Sequence, residues 1–174
     1  MGSYFITFST FGHYFPGQPG FIDRGHNLFG SPLPPPQANL LHYVEHQIEQ
    51  PRYFLDHADR EIVLASIIEV CDYNGWTLVA AHVRSNHVHI VVEGEAKPER
   101  MMNTFKSYAS RGLNATFGSE RQRRWARHGS TRYLWSREAL AEAVAYVIEG
   151  QGDAMSAFTV AEHSQPLWHS TSRT

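Results

Sequence analysis

Trp76-Thr77-Leu78-Val79-Ala80-Ala81-His82-Val83-Arg84-Ser85-Asn86-His87-Val88-His89-Ile90-Val91-Val92 contains two β-type runs, 76–83 and 87–92, separated by Arg84-Ser85-Asn86. A three-residue connection between such runs predicts an antiparallel hairpin. Side chains alternate faces along a strand, so Val88, Ile90 and Val92 point into a core while His87 and His89 share the other side. Two imidazoles about 7 Å apart on one strand face can converge on a single divalent cation. An exposed or stacked histidine pair is the plainer alternative, in a chain that carries 11 histidines.

Upstream of the hairpin, Tyr4-Phe5-Ile6-Thr7-Phe8-Ser9-Thr10-Phe11 is aromatic and β-branched and predicts a first strand. Residues 12–36 hold five of the 13 glycines and six of the nine prolines and read as loop. Leu40, Leu41, Val44 and Ile48 have helical spacing from Asn39 to near Pro51. A second helix follows Asp59, read as its N-cap, through Ile62, Val63, Ile67 and Val70, and closes before Asn74-Gly75. Downstream, a helix from Glu99 to Phe117 carries Met102, Phe105, Ala109, Leu113 and Thr116 on its apolar stripe, and Gly118 ends it. Residues 120–132 read as an arginine-rich connector, Tyr133-Leu134-Trp135 as a short strand and Arg137–Glu149 as a last helix. The order implies an α+β fold, an antiparallel sheet with helices on one face. A domain over 1–152 and a tail over 153–174 are expected.

A length of 174 residues suits one domain of common size. The lone cysteine, Cys71, excludes an internal disulfide framework and a cysteine-based zinc cluster. No apolar run approaches the ~20 residues of a membrane-spanning helix, and no secretory leader pattern stands at the N-terminus. A soluble intracellular protein is therefore expected. The formal net charge of −2 hides a segregation. Between Lys97 and Arg137 there are ten basic residues and two acids, so that window is +8 and the remainder −10. Such a stripe is either a footprint for a phosphate backbone or a solvated basic surface.

Two further stretches bear on chemistry. In Phe105-Lys106-Ser107-Tyr108-Ala109-Ser110-Arg111-Gly112-Leu113-Asn114, Tyr108 sits at the margin of the apolar stripe with Arg111 one turn on. It is either a core-rim tyrosine or one that presents its hydroxyl to a groove. Arg121-Gln122-Arg123-Arg124-Trp125-Ala126-Arg127-His128 interleaves an indole with cations, a combination suited to unpaired bases. Trp125 as a core anchor is the equal alternative.

Asn86-His87-Val88-His89-Ile90-Val91-Val92, followed by the Lys106-Ser107-Tyr108 helix, resembles the single-tyrosine HUH transposases, in particular the REP-associated and insertion-sequence branches. The resemblance implies the ferredoxin-like or RRM-like HUH endonuclease fold. It also implies metal-dependent cleavage and transfer of single-stranded, hairpin-forming DNA through a 5′-phosphotyrosine, with Tyr108 as nucleophile and His87 and His89 as ligands to Mg²⁺ or Mn²⁺. Lys106, Arg111, Arg121, Arg123, Arg124, Trp125 and Arg127 become candidate DNA contacts. The location implied is cytoplasmic and nucleoid-associated, and relatives include both monomers and homodimers that exchange tyrosine helices. One departure stands out: Gly112 occupies the position where insertion-sequence relatives carry a polar third ligand, often Gln. His82 and His13 are the substitutes considered. A non-catalytic descendant that binds structured DNA is the alternative function, and a histidine-based metallohydrolase without a nucleic acid partner is the third.

Overall fold

The computed structural model describes residues 1–13, 35–40, 42, 50–118 and 123–160. Residues 38–40 are helical, and the rest of the helix expected from Asn39 lies almost wholly outside the described residues. Five strands form one sheet: β1 (Gly2–Thr10), β2 (Thr77–Val83), β3 (His87–Gly94), β4 (Trp125–Tyr133) and β5 (Ser156–Thr159), in the order β4-β1-β3-β2-β5. Every pairing is antiparallel. Among the described residues, the three longer helices are α1 (His57–Asn74), α2 (Pro98–Phe117) and α3 (Arg137–Ile148).

The helix boundaries follow from local chemistry. Asp56, not Asp59, caps α1: the Asp56 carboxylate accepts from the Asp59 amide at 2.8 Å, and the Asp59 carboxylate accepts from the Asp56 amide at 3.2 Å. This reciprocal box satisfies two orphan donors and starts the helix one turn earlier than its apolar pattern implies. Gly75, at φ 66°, ends it in the left-handed conformation that glycine adopts without strain. Pro98 opens α2, where its missing N–H is no loss.

The pleat sorts the side chains into two faces. Tyr4, Ile6 and Phe8 of β1 and Val88, Ile90 and Val92 of β3 join one cluster with Val63, Ile67 and Val70 of α1 and Met101, Phe105, Ala109 and Leu113 of α2. Phe5, Val91 and Ala80 point the other way and pack against Ala143 and Val147 of α3. The α+β class with an antiparallel sheet holds, but the helices do not share one face. α1 and α2 cover one side and α3 the other.

Two segments differ from expectation. The arginine-rich stretch forms β4, an edge strand paired to β1 from Tyr4↔Tyr133 to Thr10↔Trp125, with a register shift between Phe8 and Thr10. It shows no apolar alternation because one edge and most of its side chains face solvent. Residues 156–159, expected in the tail, pair with β2 as the opposite edge. Thr116, assigned to the apolar stripe of α2, is exposed.

Candidate functional site

His87 and His89 lie on β3 with side chains on the α3 face, their ring centroids 4.7 Å apart. His89 pairs across the sheet with Thr7 on one side and His82 on the other. Its Nδ1 lies 2.8 Å from the Thr7 hydroxyl, and Phe5 stacks on its ring at 5.5 Å. His87 Nδ1 lies 2.7 Å from Asn86 Oδ1. An Nδ1–H donated there leaves Nε2 with the lone pair, the arrangement that orients a ligating imidazole. Burial lowers both imidazole pKa values, that of His89 to about 3, and the Arg84 guanidinium and neighbouring histidines push the same way. Both rings are therefore neutral near pH 7, the state a metal requires.

The tyrosine that meets these rings is Tyr146, in the last turn of α3. Its ring lies edge-on to His89 at 5.6 Å and to Phe5 at 6.0 Å, and the residue is 49% exposed. The chain then turns back, bringing Gln151 to the same place. Gln151 Nε2 donates to the Tyr146 carbonyl at 3.2 Å, which turns Oε1 toward His87 Nε2 at 3.5 Å. Its side chain acts electrostatically on both imidazoles. The returning segment is held firmly: Arg84 donates to the Asp153 carbonyl at 2.7 Å, and His82 Nε2 accepts from the Met155 amide at 3.2 Å.

Tyr108 does not join this group. It lies on α2, packed against the cluster on the opposite face, with the sheet between its ring and the histidines. Its neighbours are the Arg111 guanidinium, 4.8 Å above the ring, and Arg100, Asn103, Thr104 and Ser107 along a shallow groove. Gly112 is explained by packing: a Cβ there would stand 2.6 Å from Ser66 Oγ and 3.0 Å from Ile62 Cγ2 of α1. It marks close helix approach, not a lost ligand. His82 is no substitute ligand, because its Nδ1 bonds the Val147 carbonyl at 2.8 Å and its Nε2 is the acceptor already described. His13 is buried against Phe54, its Nε2 without a hydrogen-bond partner.

The expected DNA contacts divide. Lys106 is buried, its Nζ donating to the carbonyls of Ala126 at 2.9 Å and His128 at 3.1 Å. Burial lowers its pKa to about 8. This lysine fastens β4 to α2, its ammonium turned onto backbone carbonyls and away from solvent. Trp125 is a core anchor, edge-on to Phe8 at 5.1 Å, with Nε1 donating to the Lys106 carbonyl and the Ser110 hydroxyl. Arg124 is buried and donates to Asn114 Oδ1. Arg111, Arg123 and Arg127 are exposed, and Arg121 lies outside the described residues.

Among the described residues, no three of His, Cys, Asp and Glu stand together. The donor set is instead two neutral imidazoles and an amide oxygen. Its Nε2–Oε1 separation of 3.5 Å is close to the ~3 Å between adjacent ligands of an octahedral Mg²⁺ shell. A divalent cation whose remaining ligands are phosphate oxygens and water fits these residues. Sequence reading missed Tyr146 and Gln151, although Tyr146-Val147-Ile148-Glu149-Gly150-Gln151 contains the tyrosine-then-glutamine order sought after Tyr108.

No helix among the described residues is long and apolar enough to cross a membrane. No curated protein matches the sequence. A solved structure described as "Structure of the REP associates tyrosine transposase bound to a REP hairpin" aligns with a TM-score of 0.47 and 13% identity, over 86% of this chain and 66% of that one. The family model described as "Transposase IS200 like" matches residues 40–147, more than half of the sequence, from before α1 through His87, His89 and Tyr146. On that match, the chain belongs to the IS200-like transposase family.

Proposed function

We propose that this protein cuts and rejoins single-stranded DNA by transesterification, with Tyr146 as the nucleophile. The observation that carries the reading is the convergence of Tyr146 and Gln151 on His87 and His89, within one chain and on one face of the sheet.

A phenol of pKa ~10 is a weak nucleophile at neutral pH, and a phosphodiester anion repels it. The chain's answer is His87, His89 and Gln151, which would hold Mg²⁺ or Mn²⁺. That ion, when bound, supplies the positive charge that polarises the scissile phosphate and stabilises its transition state. Asn86 and Thr7 fix the two imidazoles by their Nδ1 bonds, and the carbonyl of Tyr146 fixes the amide. α3 holds the phenol beside them. The Tyr146 oxygen forms a bond to phosphorus as the bond to the 3′-oxygen breaks, and the phenolic proton passes through solvent to that oxygen. The products are a 5′-phosphotyrosine and a free 3′-hydroxyl. Ester bonds are exchanged without net loss, so no nucleotide cofactor is consumed and the 3′-hydroxyl of another strand can reverse the attack.

Exposed Arg111, Arg123 and Arg127 support a nucleic acid partner, and hairpin-forming DNA is the substrate class we infer. A partner of this kind would place the protein with the nucleoid. The reading needs no exchange of helices between two copies. The alternative of a non-catalytic descendant drew its support from Gly112, which packing accounts for.

The test is a denaturing gel of the protein mixed with end-labelled single-stranded hairpin DNA and Mn²⁺. A covalent adduct is expected, abolished by chelator and by Tyr146→Phe, while DNA binding survives the substitution. Full adduct formation by Tyr146→Phe would remove the assigned nucleophile.

A further inference from the structure

Trp135 is the most exposed large apolar side chain among the described residues, at 85%. Its ring is not loose. It stacks on Tyr133 with centroids 5.0 Å apart and planes within 7°. Tyr133 in turn packs edge-on against Tyr4, at 5.1 Å and 77°, and Tyr4 is only 6% exposed. Three rings thus run from the core to solvent at the end of β4. The inner rings hold the indole in place, and most of its surface remains open.

An isolated exposed aromatic needs no explanation, but an indole held parallel on a second ring is a preorganised stacking surface. The surrounding charge identifies what it would take. Arg137 is exposed at the first position of α3, two residues after Trp135, while Arg132 pairs with Phe5 and so leaves the strand on the face opposite Tyr133. Of the nearby carboxylates, Glu138 is turned onto the helix N-terminus, bonded to its own backbone N–H and to Ser136, and Glu99 accepts from the Thr131 hydroxyl at 3.1 Å. A flat, open indole with a cation two residues on suits a nucleobase and its phosphate, and an unpaired base exposes the π-face that stacking requires. α3 begins at this platform and carries Tyr146 nine residues on, about 14 Å along its axis. A strand laid along the helix spans the two points in a few nucleotides.

We propose that Trp135, stacked on Tyr133, is the platform for one unpaired nucleobase of the bound DNA strand, a set distance from the cleavage point. This inference rests on the single-stranded DNA reading above, and its test separates the two.

The full-length chain is titrated with a hairpin oligonucleotide whose single-stranded flanks carry 2-aminopurine at successive positions. One flank position should be quenched on binding, and Trp135→Ala should remove that quench and weaken affinity about tenfold or more. Trp135→Phe should recover most of both, and the melting temperature of either variant should match the parent, since the indole is largely outside the core. If the parent binds DNA and forms the Tyr146 adduct, yet no position responds to Trp135 and affinity is unchanged, the platform is refuted and the cleavage reading stands. If the parent binds no DNA, the reading fails and the platform with it. If Trp135→Ala lowers only the molecular mass in solution, the ring serves self-association, and the proposal is overturned.

Discussion

The two faces of the sheet are built from the same strands and differ in what they bury. Under α1 and α2, β1 and β3 contribute Tyr4, Ile6, Phe8, Val88, Ile90 and Val92, and the cluster is almost wholly apolar. Lys106, a buried cation beside it, is pinned by two carbonyls. Under α3, β1, β2 and β3 contribute Thr7, His82, His87 and His89, and the fully apolar set shrinks to Ala80, Val91, Leu134, Ala143 and Val147. Burying imidazoles costs stability unless each nitrogen is placed. His82 has both nitrogens bonded, while His87 and His89 are bonded at Nδ1 and directed by Gln151. Packing therefore decides the first face and chemistry the second, and a residue's face says which role it can take.

The most decisive way to break this contrast uses the two tyrosines. Tyr146→Phe should reduce covalent adduct by several orders of magnitude, because it removes the attacking oxygen. Tyr108→Phe should leave the rate of adduct formation within about twofold, because the sheet separates it from the histidines. Quenched time courses with Mn²⁺ give both rates on one gel. A large loss in the Tyr108 variant, at unchanged melting temperature, would return that helix to the chemistry and dissolve the division of faces.

The histidine pair, the hairpin and the helix-strand order were legible in the sequence because each has a period. His87-Val88-His89 alternates, and Phe105, Ala109 and Leu113 repeat at helical spacing. β4 was not legible, since an edge strand such as Ala126-Arg127-His128-Gly129-Ser130 buries too little to show alternation. Which tyrosine stands beside the histidines was not legible for a different reason. Which face a helix covers is set by topology, and nothing in Lys106-Ser107-Tyr108 or Ala145-Tyr146-Val147 distinguishes the two sides of a sheet. The chain reversal that returns Gln151 to Tyr146 is likewise tertiary. The cationic run misled because charge is read as exposure, whereas Lys106 and Arg124 are buried and bonded to carbonyl and amide oxygens.

Acid should separate the faces next. His82, His87 and His89 have pKa values lowered from 6.5, that of His89 to about 3, with burial the main cause for each. The unfolded chain then binds more protons than the folded one between about pH 6.5 and 3, so stability is full above 6.5 and falls as pH drops. The loss attributable to His89 is on the order of a few kcal/mol. Lys106 belongs to the other face and to the other limb. Its pKa of about 8, against 10.5, lets stability rise from about pH 8 to 10.5. Melting temperatures across both ranges should show the acid limb flattened by His89→Gln and the alkaline limb flattened by Lys106→Met. An acid limb unchanged in the first variant would mean that other groups carry it.

The smallest expected effect sharpens the reading of Gly112. If that position were a vacant ligand site, Gly112→Gln would raise metal affinity and adduct yield. If it is a contact between α1 and α2, the new side chain meets Ser66 and Ile62, whose atoms would stand 2.6 Å and 3.0 Å from the first carbon alone. Ser66 has little room to give way, because its hydroxyl is bonded to the Ile62 carbonyl at 2.8 Å. Overpacking of this kind costs about 1–3 kcal/mol, partly offset by the roughly 1 kcal/mol that a glycine forgoes inside a helix. Denaturant midpoints should therefore fall modestly, with adduct yield per folded molecule and Mn²⁺ dependence unchanged, because the contact lies on the far side of the sheet from Tyr146. A gain in Mn²⁺ affinity would instead show that α2 reaches the metal site, and the separation of packing from chemistry would no longer hold.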